Sequence, residues 1–144
     1  MALFDEAGLF SEDQAITVTA RSTNIIDFGA PETPIGNVGP VVGDLGLSEI
    51  EILVQVTEAF VGLTSLAVAI QFDDDVAFGS PTTLITSQPV PVANLKVGYK
   101  FRVPAQIPEG ALERYASLNY VVAGGPATAG KVFAGIVASR PGAV

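Results

Sequence analysis

The chain has 144 residues, of which 49% are hydrophobic and only 15% are charged, and its formal net charge is −8. High apolar content with few charges disfavours disorder, because burial can offset the entropy of ordering the chain. The acidic balance argues against a nucleic-acid partner, and the absence of histidine and cysteine excludes disulfides, thiolate metal sites and the commonest catalytic base.

The N-terminal residues carry Asp5 and Glu6 where a secretory signal peptide would be basic, so we expect synthesis in the cytoplasm without a signal peptide. No run approaches the roughly 20 apolar residues of a membrane helix, and we expect no membrane partner. Residues 1–13 are predicted to form an N-terminal arm. Its apolar Leu3, Phe4 and Phe10 are candidates for contact with another protein.

Short runs with alternating apolar and polar residues are typical of half-buried strands. They predict strands at residues 15–21, 49–57, 65–72, 97–103, 114–122 and 131–139, with weaker ones at 24–28 and 82–86. Residues 3–9 and 108–115 could each form one helical turn. The pattern predicts a single all-β domain over residues 1–144, an antiparallel β-sandwich or jelly roll of about eight short strands with little helix.

Residues 30–47 interrupt this pattern with three prolines and four glycines, so they cannot pair continuously as a strand. A loop this long in a small domain is a functional arm or lid, or else a long crossover between strands. The sequence leaves both interpretations open.

Charge is divided unevenly along the chain. Residues 1–94 contain 13 acidic residues and one base, Arg21, whereas residues 95–144 contain six bases and two acids. Segments of opposite sign favour association with protein surfaces, because complementary charges steer and orient a partner.

Asp73, Asp74 and Asp75 directly follow a predicted strand. The first interpretation is a solvated turn, since Asp favours turns. A partner-facing acidic patch is the second. A calcium site is the third, but the ligand spacing of a calcium loop is incomplete, and we expect no metal.

Lys96, Lys100 and Arg102 share one face of the strand predicted at residues 97–103, counting the residue just before it. The alternation places the apolar Val97, Tyr99, Phe101 and Val103 on the opposite, inward face. They are interpreted either as the solvated face of a half-buried strand or as a basic strip that meets an acidic surface on a partner.

The segment Gly125 to Lys131 fits the phosphate-binding pattern Gly-x-x-x-x-Gly-Lys. Val132 stands where the pattern needs Ser or Thr, and a strand rather than a helix follows. The segment is therefore predicted to be the turn of a β-hairpin.

Glu109 and Glu113 lie four residues apart, a spacing compatible with paired carboxylates for acid–base chemistry, but no nucleophile motif accompanies them. We expect no enzyme, no catalytic residue and no cofactor. A carboxylate-dependent hydrolase is retained only as a formal alternative.

The two ends of the chain are similar to a known family. The ending combines Arg-Tyr-x-x-Leu-x-Tyr-x-Val-x-Gly at residues 114–124 with Thr-Ala-Gly-x-Val-x-Ala at residues 128–134. The stretches 9–16 and 22–27 resemble the family's opening, and 55–60 and 66–71 its middle. The chain thus resembles the jelly-roll capsid cement, or decoration, proteins of tailed bacteriophages, of the Bordetella-phage type.

This resemblance implies a non-enzymatic protein on the outer surface of a phage head. It would bind the major capsid protein, bridge neighbouring copies of it and stabilise the shell. It would also associate with itself as a dimer, alternatively a trimer, and Gly130 would lie in a hairpin turn. The rival hypothesis is a β-sandwich binding module of a virion, a lectin or receptor-attachment domain, whose loops would present exposed aromatic residues.

Overall fold

The computed structural model describes residues 6–29, 35, 51–103 and 113–137. Within these ranges lie nine strands and two short 3-10 helices, Glu6–Gly8 and Val92–Asn94. The strands are β1 (Leu9–Ala15), β2 (Ala20–Arg21), β3 (Ile26–Asp27), β4 (Glu51–Val61), β5 (Ser65–Asp73), β6 (Thr82–Thr86), β7 (Val90–Pro91), β8 (Tyr115–Ala123) and β9 (Ala129–Val137). Neither helix is long or apolar enough to cross a membrane.

The strands form two antiparallel sheets. The smaller sheet has the order β1-β9-β4. The larger sheet has the order β2-β8-β5-β6, with β3 also paired to β8 and β7 to β5. This arrangement confirms the predicted all-β antiparallel sandwich.

The core lies between the sheets and is formed by the side chains that alternate inward along the strands. On β4, Ile52, Val54 and Val56 are buried, and they belong to one apolar cluster with the inward side chains of β5 and β8. The largest fully buried members are Tyr120, Phe10, Phe72 and Phe101. Full burial of such a side chain stabilises the fold by up to about 1.5–3 kcal/mol, which favours the register that keeps these residues inside.

The strand predicted at residues 15–21 is wrong. The strand β1 ends at Ala15, residues 17–19 form a bend, and the chain enters the other sheet at β2. Ile16 is fully buried, whereas Val18 is 55% exposed. The apparent alternation fails because this segment crosses from one sheet to the other.

The predicted N-terminal arm is also wrong from residue 9 onwards. Residues 9–13 belong to β1, and Phe10 is buried in the core, where it cannot contact another protein. The helical turn expected within residues 3–9 is the 3-10 helix Glu6–Gly8. Leu3 and Phe4 lie outside the described residues, as does the loop of residues 30–47 except for Ile35, whose side chain is fully exposed.

The hairpin predicted at Gly125 to Lys131 is wrong as well. The strand β8 belongs to the larger sheet and β9 to the smaller, so the connection crosses the sandwich, and Gly130 lies within β9 rather than in a turn. Lys131 Nζ lies 3.4 Å from Glu58 Oε2 on β4. The segment is therefore the paired start of a strand, without the helix that a phosphate-binding loop requires.

Candidate protein-contact sites

Asp73 ends β5 and is buried, so the interpretation of all three aspartates as a solvated turn is wrong for this residue. Its two carboxylate oxygens accept backbone N–H groups, Oδ1 from Asp75 at 2.9 Å and Oδ2 from Ser80 at 3.0 Å. The Asp75 hydrogen bond, helped by that from Ser80, holds the pKa of Asp73 below its usual value, although burial acts in the opposite direction. Asp73 thus closes the loop that follows β5, and only Asp74 and Asp75 are exposed.

This loop folds back over the outer face of the larger sheet. Arg21 pairs with Asn119, which alternates with the core residues Leu118 and Tyr120, so Arg21 points away from the core. The Arg21 guanidinium lies 4.5 Å from the centre of the Phe78 ring, and its Nη1 donates to the Ala77 carbonyl at 3.4 Å. A cation over an aromatic face is attracted by the ring quadrupole, so Arg21 holds the loop against the sheet.

Phe78 is only 4% exposed although it lies outside the main core cluster. On the same outer face, the Ser117 hydroxyl and Arg21 Nε are buried without a hydrogen-bond partner among the described residues. Sequence reasoning did not select Arg21 or Phe78 as a pair. The sequence feature that singles out Arg21 is that it is the one base among the first 94 residues.

A carboxylate set adjoins the loop. One oxygen each from Asp73, Asp74 and Glu113 lie within 4.8 Å of one another, and in the described part of the chain this is the one group of three acids with the spacing to hold a metal ion. Asp73 already satisfies both oxygens with backbone N–H groups. Exposed acids often lie together without an ion, and we assign no metal to this set.

The basic residues Lys96, Lys100 and Arg102 do not share a regular strand as predicted. The Tyr99 N–H donates to the Lys96 carbonyl at 3.0 Å, which places Lys96 in a turn, and only Lys100 forms a bridge, to Gln55 on β4. The turn also explains why Val97 is 69% exposed, although the pattern predicted it to be inward. Phe101 and Val103 are buried as predicted.

Backbone hydrogen bonds nevertheless keep this segment beside the smaller sheet. The Val56 N–H donates to the Tyr99 carbonyl at 2.9 Å, and the Phe101 N–H to the Val54 carbonyl at 2.9 Å. Arg102 is exposed and Lys100 is half-buried, next to β4. The sheet therefore brings Lys100 and Arg102 together, with Lys96 apart in the preceding turn.

The Arg-Tyr pair of the C-terminal ending has a structural role. Arg114 Nε and Nη2 donate to the two carboxylate oxygens of Asp27 at 3.0 and 3.1 Å. This hydrogen bond is the main reason that the pKa of Asp27 is lowered. The Arg114 guanidinium also lies 4.9 Å from the centre of the Tyr115 ring. The arginine thus ties β3 to the start of β8.

An open depression lies at the end of the sandwich where the chain crosses between sheets. Its lining consists of Val18, Thr19, Val122, Gly124, Gly125 and Pro126. None of these residues is charged, so the depression lacks the convergent acid and base groups of a catalytic pocket.

Comparison with known families assigns the chain to a family. The Bbp16 family model matches residues 10–136, which includes every described strand in whole or in part. The chain belongs to the Bbp16 family. No curated protein matches it. The Bbp16 match covers the C-terminal ending and nearly all of the opening on which the resemblance to Bordetella-phage proteins rests.

Proposed function

We propose that this protein is a capsid cement, or decoration, protein that binds the outer surface of a phage head. In this role it bridges neighbouring major capsid proteins and stabilises the shell. The observation that carries the proposal is the Bbp16 match over residues 10–136, because the family's name suggests a Bordetella phage protein. The similarity of both chain ends to phage cement proteins supports the same role.

The physical properties of the chain agree with a binding role without chemistry. Two sheets closed over one apolar core make a rigid block, which loses little conformational entropy when it binds. Many identical weak contacts become strong when they are repeated over a closed shell. The protein would also associate with itself, as a dimer or alternatively a trimer, and would be made in the host cytoplasm and reside in the virion.

The first experiment counts this protein against the major capsid protein in purified virions. A cement protein is expected at a fixed stoichiometric ratio in all heads. A few copies per particle would instead favour the rival receptor-attachment module, and its absence from particles would reject both functions.

The second experiment asks whether the basic residues beside β4 contact the capsid. Heads that lack the protein are incubated with the variant Lys100→Glu, Arg102→Glu. We expect occupancy to fall and its dependence on salt to change sign, because ions screen both the attraction of the wild type to an acidic surface and the repulsion of the glutamate variant from it. The matched control is Lys100→Arg, Arg102→Lys, which keeps both charges and should bind as the wild type does. Unchanged occupancy of the glutamate variant would show that these residues form a solvated face.

A further inference from the structure

The loop of residues 74–80 lies as a flap on the outer face of the larger sheet, and one side chain holds both of its ends. Asp73, the last residue of β5, accepts the Asp75 N–H at 2.9 Å and the Ser80 N–H at 3.0 Å. Within the flap, the Phe78 N–H donates to the Asp75 carbonyl at 2.9 Å. The flap is therefore a compact unit whose two ends are fixed at a single point.

Phe78 is the residue that the flap buries against the sheet. Its side chain is 4% exposed although it lies outside the core cluster, whereas Val76 in the same flap is 57% exposed. The Arg21 guanidinium lies 4.5 Å from the centre of the Phe78 ring. Phe78 also has a φ of 52°, in the left-handed region that residues with a Cβ rarely adopt. The closed flap thus gains from the buried ring and the cation–π contact but carries backbone strain.

The sheet beneath the flap contains two buried polar atoms, Arg21 Nε and Ser117 Oγ, that have no hydrogen-bond partner among the described residues. Ser117 alternates with core residues of β8 and so points to the outer face. It lies on β8 between Tyr115, the pairing partner of Asp73, and Asn119, the pairing partner of Arg21. Ser117 is therefore placed between the start of the flap and the arginine that the flap contacts. A buried polar atom without a partner destabilises the state in which it is buried.

We propose that residues 74–80 are a flap that opens and closes as one unit while the rest of the sandwich stays folded. The Asp73 hydrogen bonds and the buried Phe78 ring favour the closed state, whereas the strain at Phe78 and the two unpartnered atoms oppose it. Because these contributions partly cancel, the flap opens at a much lower free energy than the whole protein unfolds. Opening turns Phe78 and Arg21 towards the solvent, and both residue types are enriched at protein interfaces. The inference goes beyond the proposed function, because it holds whether or not the protein binds a capsid.

The chain has no cysteine, which allows a direct test with the whole protein. Ser117→Cys places a single thiol of similar size beneath the flap, and its rate of reaction with iodoacetamide, relative to the rate in denaturant, measures its exposure. The matched control is Ala116→Cys, at the preceding residue of β8, which is 2% exposed and belongs to the core. We expect the Ser117→Cys thiol to react about tenfold faster or more, because only unfolding exposes the control thiol. Denaturant unfolding of each variant corrects for differences in global stability.

A second set of variants tests what holds the flap closed. In the Ser117→Cys background, Arg21→Gln removes the cation, and Phe78→Leu removes the ring but keeps an apolar side chain. Each should speed the reaction about two- to fivefold, the factor that corresponds to one cation–π contact. The double variant should be little faster than either single variant, because both changes remove the same contact. Arg21→Lys is the matched control, since it keeps the positive charge, and it should react more slowly than Arg21→Gln.

Amide exchange of the wild type provides a measurement that needs no variant. The amides of Ala77, Phe78 and Ser80 donate to Asp75 Oδ1, the Asp75 carbonyl and Asp73 Oδ2. They should share one opening free energy, below that of the amides paired between β5 and β8.

Four results would overturn the proposal. Equal corrected rates for the Ser117→Cys and Ala116→Cys thiols would show that only unfolding exposes Ser117. A Ser117→Cys thiol that reacts as fast as in denaturant would show that the flap does not close over it. Exchange of the three flap amides at the free energy of the strand amides would show that the flap does not open separately. Additive effects of Arg21→Gln and Phe78→Leu would reject their contact as what holds the flap closed.

Discussion

The hydroxyl groups of Ser11 and Tyr120 lie 2.7 Å apart, and both side chains are fully buried. Ser11 is in β1 of the smaller sheet and Tyr120 in β8 of the larger, so this hydrogen bond crosses the core and joins the two sheets. Ser11 Oγ also donates to Gln14 Oε1 at 2.6 Å. The Tyr120 hydroxyl is therefore the donor in the bond between the sheets, and Ser11 accepts.

Replacement of Ser11 should cost more than removal of the Tyr120 hydroxyl. Ser11→Ala leaves the Tyr120 hydroxyl buried without a partner, and we expect a loss of about 1–3 kcal/mol in the free energy of unfolding. Tyr120→Phe should cost only about 1 kcal/mol, because the Ser11 hydroxyl still donates to Gln14. Denaturant unfolding of both variants and the double variant measures the coupling, and costs that simply add would show that the two hydroxyls do not interact.

Stability should fall in alkaline solution because of Tyr120. Burial raises the pKa of Tyr120 well above its usual value of 10.0, so the folded protein keeps the proton that the unfolded chain releases. The stability that protonated Tyr120 contributes is fully present below about pH 10. It is lost as the pH rises above that value, with a slope of about 1.4 kcal/mol per pH unit. Denaturant unfolding of the wild type and of Tyr120→Phe measures this loss of stability. The pH range runs from about 9 to about 11, which is one unit on either side of the usual tyrosine pKa. Identical slopes of the free energy of unfolding against pH in the two proteins would contradict the prediction.

A side chain at position 130 should be much less tolerated than one at position 29. Both glycines have a positive φ, 136° at Gly130 and 94° at Gly29. A Cβ at Gly130 would collide with the Phe60 ring, whereas at Gly29 no atom of the described residues lies within 4 Å. We expect Gly29→Ala to cost about 1 kcal/mol of stability through backbone strain alone. Gly130→Ala should cost about 2–4 kcal/mol, because overpacking adds to the strain. Equal losses in thermal or denaturant unfolding would show that the Phe60 ring moves aside without cost.

The loop after β5 should open in acid. Because hydrogen bonds hold the pKa of Asp73 below its usual value of 3.8, the ionised form stabilises the folded loop, and this contribution is lost as the pH falls below that value. We expect Asp73→Asn to increase amide exchange at Asp75 and Ser80 at neutral pH and to make stability less dependent on pH in acid. Glu12→Gln, at an exposed position on β1, is the control and should change neither property.

Local patterns predicted the central strands well. The strand expected at residues 65–72 is β5, that expected at 114–122 is β8 within one residue at each end, and the weak strand at 82–86 is β6 without change. In each of these strands the alternation of side chains between the core and the outer face is a property of a few consecutive residues. On β5 the alternating residues Leu66, Val68, Ile70 and Phe72 are all buried, whereas on β6 Ile85 is 38% exposed.

The errors in the predicted strands share one cause, which is the passage of the chain between sheets or through a turn. Alternation continues through residues 16–19 and 97–103, yet Val18 and Val97 are exposed because the chain turns there. The candidate contacts Phe10 and Asp73 are buried for another reason, since Phe10 packs in the core cluster and Asp73 accepts hydrogen bonds within the loop that follows it. The contact between Arg21 and Phe78 joins residues 57 positions apart, and no local pattern indicates it.

The amino-acid sequence by itself determined that the chain is an all-β sandwich with an apolar core, and its two ends indicated the phage family. The tertiary structure alone decided which sheet each described strand joins and which acidic residues are exposed. The physical reason is that alternation depends on the geometry of neighbouring residues. Sheet membership and burial depend instead on hydrogen bonds and packing between segments that are far apart in the chain.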